Sequence, residues 1–173
     1  MPTSYRAPNR SDADAGRSAS QSTDSNLPLA NAKVKDILSS KGQNVITISP
    51  EDTLGQAVEL LRDHRIGALV VTESHGDLCG IISERDIVRK LADTPGRTLP
   101  QQVQEVMTHD VKTCAAGAPL VSVLKIMTEG RFRHMPVIEN ETLAGMITIG
   151  DVVNYRLVQL EHEALQLKQL IVG

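Results

Sequence analysis

Two heptapeptides of one pattern, GIISERD at Gly80–Asp86 and GMITIGD at Gly145–Asp151, constrain this chain more than any other feature. Each reads Gly, two apolar residues, a hydroxyl residue, two spacers and Asp. They belong to a longer correspondence. Leu54, Val58 and Leu61 recur 66 positions later as Leu120, Leu124 and Met127, and Gly80, Ser83 and Asp86 recur 65 later as Gly145, Thr148 and Asp151. From Lys33 onward the chain is therefore an internal duplication. Its one-residue slip falls between TESHGDL and IENETL, in a loop where a deletion costs little.

Both units carry the same local signals. In the first, VITI (Val45–Ile48) is a short β-branched run and predicts a strand. Leu54, Val58 and Leu61 then follow at helical spacing, with Ser49, Pro50 and Asp52 suited to the helix start. ALVVT and LCGIIS predict two strands around the turn-rich ESHGD. A second helix opens after Asp86 with IVRKL. Each unit is thus strand, helix, strand, strand, helix, an α+β arrangement. One copy alone leaves much of its apolar surface bare, so the two are expected to pack face to face about a pseudo-two-fold axis.

The flanks differ. Residues 1–32 are Ser, Asp, Ala and Arg with almost nothing apolar, and are expected to form a disordered tail. Asp12, Asp14 and Asp24 argue against an organelle transit peptide. No apolar run suits a bilayer span or a signal peptide, which points to a soluble cytoplasmic protein. At the other end Val153, Leu157, Leu160, Ala164, Leu167 and Ile171 recur at steps of 4, 3, 4, 3 and 4, a heptad seam that outruns the repeated unit and suits self-association.

Composition excludes several function classes. The chain has 173 residues, no Trp, one Phe and two Tyr, so its core is aliphatic and few rings are available to stack on a base. A formal charge of −3 gives no global attraction to nucleic acid or to an anionic membrane. Cys79 and Cys114 have no CxxC spacing and read as small apolar residues in a reducing compartment. The five histidines, His64, His75, His109, His134 and His162, form no metal-ligand pattern, so no metal is expected. No P-loop, GxGxxG or nucleophile elbow is present, and no enzyme activity is expected.

The heptapeptides admit two readings. Ser83-x-x-Asp86 and Thr148-x-x-Asp151 have the form of a helix capping box. A helix N-terminus with a hydroxyl and a carboxylate beside it also suits a nucleoside phosphate. The N–H groups receive phosphate, and the Asp accepts from the ribose diol. The two roles are compatible.

With its duplicated unit, its paired G-x-x-[S/T]-x-x-D motifs and the matching HRIGALVV and GRFRHMPVI segments, the chain resembles a pair of CBS (cystathionine β-synthase) domains, the Bateman module. The resemblance covers Lys33 to about Leu157 and is to stand-alone CBS-pair proteins. It implies repeat 1 at residues 33–95, repeat 2 at 96–157 and a helical extension at 158–173. It also implies a regulatory sensor that binds AMP, ADP, ATP, NAD(H) or S-adenosylmethionine in the cleft between the repeats. Asp86 and Asp151 would each hold a ribose, with Ser83 and Thr148 near the phosphate. Gly67–Ala68 and Arg133–His134 form the second contact region. Thr47 and Thr113 line the base pocket through backbone groups. The partners implied are the nucleotide, a second copy of the chain and an unidentified regulated protein, with neither membrane nor nucleic acid. The alternative is a ligand-free interaction module that acts through dimerisation.

Within that frame the halves are unequal. Arg133 and His134 stand where the first unit has Gly67 and Ala68. A ligand on Asp86 is expected to turn its phosphates toward the cationic pair, and one on Asp151 meets uncharged residues. The competing reading of Arg133 and His134 is a solvated strand end, and Arg85 is a helper or plain surface.

Overall fold

The computed structural model describes residues 31–172. The tail expected at residues 1–32 lies outside them but for its last two residues, and of these Ala32 is buried rather than loose. The first unit contains β1 (Thr47–Ile48), α2 (Leu54–His64), β2 (Ala68–Thr72), β3 (Leu78–Ser83) and α3 (Glu84–Asp93). It is preceded by α1 (Val34–Lys41). A short 3-10 turn, Val103–Glu105, precedes α4 (Leu120–Gly130), β4 (His134–Glu139), β5 (Thr142–Thr148) and α5 (Ile149–Val172). β1 runs parallel to β2, which pairs antiparallel with β3; β4 and β5 form a second antiparallel pair. The registers match, with Ala68 opposite Ser83 in one unit and His134 opposite Thr148 in the other.

Three local expectations change. The VITI strand shrinks to Thr47–Ile48, and its counterpart shrinks to one parallel bridge between Cys114 and Val137. The second run, KTCAAGAP, has only Thr113 of the β-branched residues that favour a pleated edge. The buried stripe of α2 is Leu54, Ala57 and Leu61; Val58 is 38% exposed at its margin. Leu120, Val123 and Met127 repeat that stripe in α4. Finally, the α2 cap is Thr53, whose hydroxyl accepts from the Gln56 N–H at 3.2 Å; Ser49 and Asp52 form the preceding turn.

The repeated sequence is not the packing unit. Each unit's leading segment leaves its own unit and packs on the other. Val34, Ile37 and Leu38 of α1 are buried with Leu120, Met127, Met135 and Ile147 of the second unit. Val103 and Met107, their counterparts, are buried with Leu54, Leu69, Ile82 and Ile87 of the first. Backbone hydrogen bonds repeat the exchange. Val34 N–H donates to Ala118 O at 3.0 Å and Leu120 N–H to Ala32 O at 2.9 Å. Val103 N–H donates to Asp52 O and Leu54 N–H to Gln101 O, each at 2.8 Å.

The glycines that open the heptapeptides make this close packing possible. A Cβ on Gly145 would stand 2.8 Å from Leu38 Cδ2, and one on Gly80 would collide with the Met107 side chain. Leu38→Ala should cost about 2–5 kcal/mol, measured by urea unfolding. Hydrogen exchange should rise first in β4 and β5. Faster exchange in β2 and β3 instead would contradict the exchange of leaders.

Candidate functional site

Both heptapeptides fold as strand-to-helix corners closed by capping boxes. Ser83 N–H donates to Asp86 Oδ2 at 3.0 Å, and Asp86 N–H donates back to Ser83 Oγ at 3.4 Å. In the second unit Thr148 N–H donates to Asp151 Oδ2 at 2.8 Å, and Asp151 N–H to Thr148 Oγ1 at 3.1 Å. The capping reading therefore describes real hydrogen bonds in both copies. It does not exhaust the carboxylates. The hydrogen bonds to the Asp86 carboxylate, from Ser83 N–H and from Ser83 Oγ at 2.6 Å, both reach Oδ2, so Oδ1 keeps its acceptor capacity.

A cavity of about 470 Å³ opens beside Asp86. Its walls come from both units: Gly67, Ala68, Ser83 and Asp86 from one, Arg133 and His134 from the other. Of the ten residues singled out from the sequence, these six meet in one place. Thr148 and Asp151 lie at the other corner. Thr47 and Thr113 are exposed and do not line the cavity; Val111 and Lys112 line it close by.

Several lining residues were not singled out beforehand. Arg89 stands one turn after Arg85 on α3, a spacing visible in the sequence. Arg131 ends α4 in the left-handed conformation, at φ 55°. Arg85 Nη1 donates to Arg131 O at 3.0 Å and ties the start of α3 to the end of α4. With Lys112 and Arg133, five cationic side chains line the cavity against the carboxylates of Glu84, Asp86 and Asp110. A chain that is acidic overall thus concentrates positive charge here.

His134 sits where the units touch. A Cβ on Gly67 would lie 3.2 Å from its Cε1, so the glycine gives the imidazole room. Burial, then the Lys41 ammonium, hold His134 below its ordinary 6.5, while Asp151 and Glu84 pull the other way. The cysteines lie apart from the cavity: both are free, and burial pushes the Cys114 thiol up to about 11. Among the described residues no group of three His, Cys, Asp or Glu side chains is placed to hold a metal, and no helix is long and apolar enough to cross a membrane.

Because the folded state disfavours the His134 proton, its contribution to stability is present above pH 6.5 and lost as pH falls through its folded value. Wild-type should therefore lose more stability than His134→Gln between about pH 7.5 and about pH 5.5, by urea unfolding. Identical pH profiles would remove this assignment.

Comparison with known proteins places this geometry. The sequence model of the CBS domain matches residues 34–93 and again 103–158. The CBS domain-containing protein CBSX3, mitochondrial, of Arabidopsis thaliana is 35% identical over 142 residues, 77% of this chain and 68% of that protein. The CBS-domain containing protein ATU1752 from Agrobacterium tumefaciens superposes with a TM-score of 0.71 at 45% identity, over 72% of this chain and 99% of that one. The CBS domain pair of MJ0100, solved with 5′-methylthioadenosine and S-adenosyl-L-methionine, superposes with a TM-score of 0.64 at 28% identity, over 72% of this chain and 94% of that one.

Proposed function

The chain belongs to the CBS-domain family, and from that premise we propose that it is a regulatory sensor of adenosine nucleotides, bound between its two repeats. One observation carries the reading: Asp86 of the first unit and the Arg133–His134 pair of the second open on the same cavity. Its volume of about 470 Å³ suits a small molecule. The ribose diol donates to Asp86, and the phosphates face Arg133 and the other cations of the wall, with His134 beside them. The adenosine derivatives bound by MJ0100 support the nucleoside half of this assignment. The excess of positive charge supports the phosphate half, and favours ATP or ADP over AMP and over uncharged nucleosides.

Sensing requires more than occupancy. The nucleotide must prefer one of two conformations, or its binding shifts nothing. Arg85, which ties α3 to the end of α4, lies on the same wall as the phosphates and is the natural point of response. The output is read by a protein partner.

Thermal unfolding tests the reading. A nucleotide present at ~100 times its dissociation constant should stabilise the chain by about 2.7 kcal/mol. Asp86→Ala should abolish the gain, and Arg133→Gln should weaken ATP more than AMP. Binding should tighten as pH falls, because a phosphate beside His134 favours its protonated form and binding takes up a proton. No gain with AMP, ADP, ATP, NAD or NADH would leave the ligand-free interaction module as the better reading, and a gain that survives Asp86→Ala would remove Asp86 from the site.

Self-association belongs to the same proposal. The heptad seam falls on α5, about 36 Å long at 1.5 Å per residue. It lies bare, with Leu157 55%, Leu160 43% and Leu167 61% exposed. A periodic apolar stripe is complementary to its own copy in a two-fold pair. Light scattering should report a dimer that Leu160→Glu with Leu167→Glu turns into a monomer. A monomeric wild-type chain would refute it.

A further inference from the structure

The two corners of the molecule differ in one contact that reaches across the chain. Lys41 Nζ lies 2.6 Å from Asp151 Oδ2 and donates as well to Met146 O at 3.2 Å. Lys41 closes α1, the leader that packs on the second unit. It stands one helical turn after Leu38, whose side chain is seated against Gly145. The packing of α1 therefore delivers an ammonium to the second heptapeptide. The pair is partly shielded, with side-chain exposures of 39% for Lys41 and 22% for Asp151.

The first corner has no such contact. The residue that corresponds to Lys41, counted from Val34 and Val103, is Asp110. Asp110 is paired with Lys112 at 2.9 Å, and both line the cavity. Asp86 has no ion-pair partner among the described residues. The duplication thus leaves one carboxylate open to a cavity and seals its twin with a lysine.

We propose that Lys41 is a tethered competitor for Asp151: it occupies the position a ribose would take, so each chain binds one nucleotide, at Asp86, and a second site opens when Lys41 is removed. The proposal rests on the adenosine-nucleotide reading of the heptapeptides. The Lys41 ammonium shares Asp151 Oδ2 with the Thr148 N–H, so it competes with a ligand diol for the charge and the space beside the carboxylate, and, held by α1, it is always at hand. Asp151 keeps its bond from Thr148 N–H when Lys41 is replaced, so the corner survives the change. The latch also adjoins the first site, since Lys41 and Asp151 both act on His134.

Isothermal titration of the full chain with ATP decides the matter. Wild-type should bind one ATP, lost in Asp86→Ala and unchanged in Asp151→Ala. Lys41→Met should bind two, and the second should vanish in Lys41→Met with Asp151→Ala. Lys41→Arg, which restores a cation, should return to one. Two ATP in wild-type, with the second weakened by Lys41→Met, would overturn the proposal by making Lys41 a ligand contact. One ATP in both wild-type and Lys41→Met would overturn it while the Asp86 site stands. No ATP in wild-type but one in Lys41→Met, lost with Asp151→Ala, would keep the latch and refute the Asp86 site. No ATP in any variant would overturn both.

Discussion

Burial of each unit's leading segment in the core of the other is the interaction on which the remaining structure depends. Val34, Ile37 and Leu38 complete the second core, and Val103 and Met107 complete the first. Each such side chain is worth about 1.5–3 kcal/mol when taken fully from water. Neither unit finishes its own core, so the two are held in one orientation about their shared axis. That orientation brings Gly67–Ala68 against Arg133–His134 and turns two surface corners into the walls of a cavity. Gly80 and Gly145 are the points where the exchange is tightest, because a side chain at either would meet the incoming leader.

Symmetry explains the architecture, and departures from symmetry explain the chemistry. The capping boxes are equivalent, down to an Asp that accepts from the backbone of the hydroxyl residue three positions earlier. Around them the charges have diverged. The Asp86 corner faces Arg131 and Arg133 across the axis, whereas the Asp151 corner holds Lys41. His134 lies between, its pKa lowered by burial and acted on by Lys41, Asp151, Glu84 and Arg133. A duplicated corner thus has one carboxylate open to a cavity and one paired with a lysine, through residues outside the repeated motif.

Much of this was legible before the structure. The 66- and 65-residue offsets located α2 and α4, the hairpins and both heptapeptides, since hydrophobic spacing and capping chemistry are local properties. The cluster of Asp86 with Arg133 and His134 followed from the resemblance to CBS pairs. What escaped has a common cause. Nothing local in VKDIL says which unit will bury it, so the exchange of leaders, and with it the position of Lys41, was hidden in a contact 110 residues long. VITI was read as a full strand because β-branched residues favour one, but pairing with β2 covers only Thr47 and Ile48. Val58 was placed in the core by its spacing, yet Ala57 takes that position, as Val123 does in the second unit.

The central claim is that the cavity is built by both units for one molecule, a ribose on the first unit's carboxylate and phosphates on the second unit's cations. A crystal structure of the chain grown with ATP tests it most directly. The account predicts density for ribose hydroxyls on Asp86 and for phosphates beside Arg133 and His134. ATP held wholly by one unit, or with its phosphates turned away from Arg133 and His134, would contradict it.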